Sequence, residues 1–182
     1  MLTMMQNLLQ HIPEILATQN TLIVQAPTGS GKTTKIPLSL LQQMLKPHEK
    51  ILMLEPRRLA ARSVARYMSD LRKEKVGQTV GYRVRLDTQV SEQTRLEIVT
   101  EGILLRLSQA DPSLADYAMV IFDEFHERSV QADLGLALAR QSQTLFREDL
   151  KLVIMSATLN TDTLADLLQA PVLTAEGRQF PV

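Results

Sequence analysis

The run Thr21-Leu22-Ile23-Val24 empties, one residue later, into residues 26–34, which read APTGSGKTT. An apolar, β-rich run halted by Pro and two glycines predicts a short buried strand over 21–25. The residues after Gly31 predict a helix over 32–45. Strand, glycine turn and helix in that order form a cradle for nucleotide phosphates. Gly29 and Gly31 let the backbone curl so that successive N–H groups point inward. Lys32 then brings a positive charge for the β and γ oxygens, and Thr33 a hydroxyl for Mg²⁺. The first position of the pattern holds Ala26 where Gly is usual, and a methyl is compatible with strand-like φ there.

A strand–loop–helix unit of this kind needs a sheet to sit in, and the rest of the chain supplies one. Further strands are expected over 51–55, 79–85, 95–100, 118–122, 151–155 and 172–174, several of them nearly continuous apolar runs. Such runs suit a parallel sheet covered on both faces. Helices fit between them over 56–75, 101–109, 130–144 and 161–169, after a helical lead-in over about 1–19. Pro56 suits a first helical turn, and Asn160 or Thr161 can cap the helix at 161. The alternation predicts one doubly wound α/β domain, with ligands at the carboxyl edge of its strands.

Composition excludes more than it selects. The chain has 182 residues, enough for one domain with a sizeable core. It has no Cys, so disulfides, thiolate metal sites and a cysteine nucleophile are ruled out. His11, His48 and His126 are too scattered in sequence to suggest a metal cluster. The N-terminus shows neither a signal peptide nor a spanning helix, so the expected location is cytoplasmic, without membrane contact. Formal net charge is zero, yet Arg57, Arg58, Arg62, Arg66, Arg72, Lys73, Lys75, Arg83 and Arg85 face only Asp70 and Glu74 within their own stretch. A charge run like this is either a solvated helix face or a nucleic-acid surface.

The apolar run Met119–Phe122 ends in Asp123-Glu124-Phe125-His126. Two carboxylates at a strand's carboxyl end, beside a phosphate loop, divide the chemistry between them. Asp123 suits Mg²⁺, which keeps several waters and takes few carboxylates. Glu124 suits orientation and deprotonation of an attacking water. The later strand, 151–155, ends in Ser156-Ala157-Thr158, whose hydroxyls are within reach of His126 or Glu124 across neighbouring strand ends.

Together APTGSGKTT, EPRRLAAR (55–62), TEGILLR (100–106), DEFHERS (123–129) and SAT (156–158) stand in the order and spacing of superfamily 2 helicases. The chain resembles their DEAH-box/RHA group over most of its length. The resemblance implies a RecA-like P-loop NTPase domain, the first of two such lobes. It implies contacts to ATP, or another NTP, and Mg²⁺ for Thr28, Gly29, Ser30, Gly31, Lys32, Thr33 and Thr34. It implies metal binding and water activation for Asp123 and Glu124. It further implies that His126, Ser156 and Thr158 couple hydrolysis to movement between lobes.

On the nucleic-acid side, the resemblance implies phosphate contacts for Arg57, Arg58, Thr100 and Gly102, and points to Arg83 and Arg85 near a second backbone-contacting loop. Members of the group hold adenine loosely with an Arg in the helix after EPRR. That neighbourhood reads Arg66-Tyr67, and either residue suits the role. The partner expected is single-stranded RNA, with DNA as the alternative. Four Phe, three Tyr and no Trp argue for tracking the backbone rather than stacking bases. The second-lobe arginine motif that completes such sites, worth about 10³–10⁵ in rate in related NTPases, has no match in the chain. The closing residues 176–182 resemble a crossing into a second lobe, to be followed by C-terminal domains. An isolated lobe is then expected to bind nucleotide weakly with little turnover. The alternative is a non-catalytic, nucleotide-dependent clamp or interaction module.

Overall fold

The computed structural model describes residues 3–158, 160–175 and 179–180. The expected crossing at the chain's end therefore falls largely outside the described residues. A lead-in helix, α1 (Met4–Thr18), precedes β1 (Thr21–Gln25), and α2 (Lys32–Gln43) follows the glycine turn. Next come β2 (Lys50–Leu54), α3 (Arg58–Leu71), the hairpin β3 (Val80–Val84) and β4 (Asp87–Gln89), and β5 (Leu96–Val99). The chain continues through α4 (Glu101–Ala110), β6 (Tyr117–Phe122), α5 (Val130–Leu145) and β7 (Lys151–Ser156). It ends with α6 (Asp162–Leu168), β8 (Val172–Thr174) and β9 (Gln179–Phe180).

These strands form one sheet in the order β4-β3-β5-β2-β6-β7-β1-β8-β9. The seven from β3 to β8 are mutually parallel, and β4 and β9 add an antiparallel strand at each edge. Side chains alternate across the sheet and so build two cores. Leu22, Val24, Ile51, Met53, Ile98 and Ile121 pack under α1, α2 and α3. Ile23, Leu52, Leu54, Val120, Phe122 and Ile154 pack under α4, α5 and α6. The chain crosses from β1 past β7 and β6 to reach β2, so the carboxyl ends of β1, β6 and β7 lie side by side. That edge is where a doubly wound sheet presents its ligand site.

The expected elements form, with three local differences. The strand expected over 79–85 stops at Val84, turns through Arg85 and Leu86, and returns as β4. The polar triplet Asp87-Thr88-Gln89 lacks the apolar alternation that marks a strand, so the pattern does not announce it. Gly81 allows the close approach: a Cβ there would lie 2.3 Å from the Gln89 carbonyl oxygen. Secondly, Pro56 stands outside the helix rather than in its first turn, because Arg57 is the N-cap and α3 opens at Arg58. The helix also stops at Leu71, and Lys73, at φ 55°, turns the chain away. Thirdly, Thr161 is the N-cap of α6 but its side chain makes no capping bond.

Candidate nucleotide site

Strand β1 is buried along its whole length and delivers Ala26, 2% exposed, to the carboxyl edge. The Ala26 N–H donates to the Ser156 carbonyl at 3.1 Å, tying the loop to the neighbouring β7. Gly29 (φ 77°) and Gly31 (φ 85°) are both left-handed, a region that costs a residue with a Cβ about 1–2 kcal/mol. Gly31 is also the N-cap of α2, so the helix opens on the turn with its N–H groups toward the loop. Thr28 and Gly29 are exposed, whereas Lys32 is 2% exposed. Burying a lysine at a helix start is costly unless an anion meets it. In this structure the anion is Glu124, whose Oε1 lies 3.4 Å from Lys32 Nζ.

The second half of the site hangs from β6. The Thr33 hydroxyl donates to Asp123 Oδ2 at 2.8 Å, joining the two motifs across ninety positions of sequence. The buried Asp123 side chain also meets the carboxyl of Glu55. A carboxylate beside a threonine hydroxyl is the hard-oxygen donor set a Mg²⁺ ion and its waters take, so the residues fit the metal.

Glu124 follows in the left-handed region, at φ 51°, a strained conformation for a residue with a side chain. Three contacts hold it there. Phe125 N–H donates to the Met155 carbonyl at 3.0 Å, Lys32 meets Oε1, and His126 Nε2 lies 3.0 Å from Oε2. The Ala157 N–H donates to His126 Nδ1 at 3.1 Å. With Nδ1 accepting, the ring proton is on Nε2 and is donated to Glu124. The SAT loop thus grips His126 through a backbone N–H, not through the hydroxyls the sequence suggested. Ser156 Oγ instead lies 3.3 Å from Thr158 Oγ1. Glu124, His126 and Glu127 also bring ligand-capable atoms within 4.8 Å of one another. Lys32 and Arg57 already neutralise the two carboxylates, so this cluster is an ion-pair network rather than an open metal cage.

The sequence reading passed over Glu55, 3% exposed at the end of β2 next to Asp123. Burial, together with the Asp123 charge, pushes the Glu55 carboxyl up to about 9. Burial raises Asp123 as well. Two adjacent buried carboxyls do not readily both ionise, and Glu55 keeps its proton through neutral pH. The signal available in sequence was positional, since Glu55 ends a buried strand at the edge that carries Asp123. The neutral carboxyl has a consequence for stability. Between the ordinary Glu value of 4.5 and about 9, the native state holds a proton that the unfolded chain releases. Stability from this group is therefore complete below 4.5 and falls as pH rises toward 9. Glu55→Gln keeps a neutral group of the same shape. Its unfolding midpoint should drop less between pH 5.5 and 8.5 than the parent's, and parallel pH profiles would refute the assignment.

The residues expected on the nucleic-acid side are spread along the same edge. Arg57, Arg58, Arg85 and Gly102 are exposed, while Thr100, the N-cap of α4, is 9% exposed. Arg83 bonds through Nε to Glu97 Oε2 at 2.9 Å; Glu97 is 1% exposed and also takes Tyr117 and Lys50. Arg66 and Tyr67 are exposed on α3. Much of the basic run is neutralised by acids from elsewhere: Arg57 by Glu127, Arg62 by Asp87 and Arg83 by Glu97. The structure bonds Thr33 to Asp123 and, beside them, Lys32 to Glu124 and Glu124 to His126, and among the described residues no hydrogen bond or ion pair joins Arg66 or Tyr67 to these groups.

The chain is similar to known proteins in sequence and in fold. The DEAD/DEAH box helicase family model matches residues 7–167. The ATP-dependent RNA helicase HrpB of Escherichia coli (strain K12) is 53% identical over 175 residues, which cover 94% of this chain and 22% of that protein. The human ATP-dependent RNA helicase DHX33 is 41% identical over 160 residues, covering 85% of this chain and 23% of the relative. The crystal structure of Escherichia coli DEAH/RHA helicase HrpB superposes with a TM-score of 0.87 at 52% identity, over 96% of this chain and 22% of that one. The chain therefore spans about a fifth of the length of the curated relatives it matches. With a sheet and helices that match a RecA-like lobe and a family match over most of its residues, the chain belongs to the DEAD/DEAH box helicase family.

Proposed function

We propose that residues 1–182 are the first RecA-like, nucleotide-holding lobe of an ATP-dependent RNA helicase. It takes ATP or another NTP with Mg²⁺ and couples hydrolysis to movement along single-stranded RNA. The observation that carries this reading is the pair of adjacent contacts at the carboxyl edge, Thr33 with Asp123 and Lys32 with Glu124, the latter also held by His126. Thr33 and Asp123 would hold Mg²⁺, which would supply positive charge to offset that of the nucleotide phosphates. Thr28, Gly29, Ser30, Gly31 and Thr34 complete the cradle. Lys32 exchanges Glu124 for the phosphate oxygens. That exchange frees Glu124 Oε1, while His126 goes on holding Oε2, so Oε1 is left to take a proton from water. His126 in turn reports to the SAT loop through Ala157, supporting a coupling role for Ser156 and Thr158.

Arg66 or Tyr67 contacts the adenine. Arginines from a second lobe complete the site, so this lobe alone binds weakly and turns over little. No helix among the described residues is long and apolar enough to cross a membrane, and the cytoplasm is the proposed compartment. Arg57, Arg58, Arg83, Arg85, Thr100 and Gly102 are assigned to the RNA backbone, and Arg57 and Arg58 stand exposed side by side at the start of α3. Removing both as Arg57→Ala with Arg58→Ala should lower the slope of log affinity against log salt by about 0.7 per lost phosphate contact. RNA titrations at several salt concentrations check this, and an unchanged slope would place these arginines off the RNA path.

A further inference from the structure

We infer that Glu127 is a built-in competitor for the nucleic-acid backbone at Arg57, and the positioning residue that ties that arginine to the Glu124 loop. The inference rests on the proposed reading that Arg57 faces RNA phosphates. Arg57 Nη2 lies 2.8 Å from Glu127 Oε1, and both side chains are open to solvent, at 67% and 36%. A phosphodiester approaching Arg57 therefore meets a guanidinium already neutralised by an anion.

Glu127 is not a bystander on its own side either. Its N–H donates to the Glu124 carbonyl at 2.9 Å, closing the turn in which Glu124 holds φ 51°. Its carboxylate belongs to the cluster with Glu124 and His126, whose ligand-capable atoms lie within 4.8 Å of one another. Two residues further on, the Ser129 hydroxyl donates to Glu101 Oε1 at 2.7 Å, at the start of α4. The catalytic loop is thus fastened at Arg57 to the EPRR segment and at Glu101 to the TEG segment, the two stretches assigned to RNA. When RNA draws Arg57 away, the loop loses one of these fastenings beside the strained residue. Linkage makes the coupling reciprocal: whatever nucleotide does to this pair is returned as a change in RNA affinity.

The test measures binding of a labelled single-stranded oligouridylate to the full chain at low salt, by fluorescence anisotropy. The parent, Glu127→Gln, Arg57→Ala and the double variant form a cycle. An exposed ion pair is worth little, so Glu127→Gln should tighten binding by only about two- to fivefold. That gain should vanish when Arg57 is already Ala. If Arg57→Ala weakens binding and Glu127→Gln changes nothing, the competitor role is overturned while the RNA assignment stands. An equal gain from Glu127→Gln in both backgrounds would reflect loss of negative charge alone, and also overturns it. If Arg57→Ala leaves binding intact, the RNA assignment of Arg57 fails and takes the inference with it.

Discussion

Glu124→Gln should lower RNA-stimulated phosphate release by about 10²–10⁴-fold in a protein that joins this lobe to its second, the range spanned by removing a general base. Nucleotide binding should survive the change. Lys32, 2% exposed, loses an anion it would in any case exchange for phosphate oxygens, and Gln still offers an oxygen to His126 Nε2–H. What disappears is the carboxylate Oε1 proposed to accept the proton from water. Lys32→Ala should separate the two functions in the other direction, by weakening binding itself. Single-turnover phosphate release with saturating nucleotide distinguishes them, and near-normal turnover in Glu124→Gln would remove Glu124 from the water-activating role.

Phe122→Ala should be the most destabilising single substitution near the site, by about 3–5 kcal/mol. Phe122 is fully buried at the end of β6, one residue before Asp123. Its ring and that of Phe125 pack in a T shape, centroids 6.1 Å apart at an interplanar angle of 85°, so it supports both the core and the base of the loop that carries Glu124. At about 2–4 °C per kcal/mol for a domain of this size, the thermal midpoint should fall by roughly 6–20 °C. Phe122→Leu should retain most of the midpoint. A fall of under about 3 °C for Phe122→Ala would mean that the surrounding side chains collapse into the space.

Much of this molecule was legible in its residue order because buried parallel strands read as continuous apolar runs. Thr21–Gln25 and Lys151–Ser156 are buried almost throughout, and the motifs at their ends follow from where they stop. Lys32, Thr33, Asp123 and Glu124 could be paired in advance because each ends or follows such a strand. What escaped depends on tertiary partners. Nothing local reveals that Glu55 keeps a proton because Asp123 stands on the next strand. The cations from Arg57 to Arg85 meet only two acids within their own stretch, yet Glu97, Glu127 and Asp87 reach in from outside it. Likewise β4 is a polar edge strand held by its register with β3, and Arg57 starts α3 by its geometry rather than by a capping side chain.

The central claim, that the loop at 26–34 and the DEFH segment form one hydrolytic site completed by a second lobe, is tested most directly by turnover. Phosphate release should be measured with and without single-stranded RNA, in parallel for this chain and for a protein joining it to its second lobe. The two-lobe protein should hydrolyse ATP faster with RNA and lose that activity in Lys32→Ala, while this chain alone should hold nucleotide and release little phosphate. A two-lobe protein that binds nucleotide and RNA yet releases no phosphate under either condition would contradict the claim and mark the lobe as a nucleotide-dependent clamp.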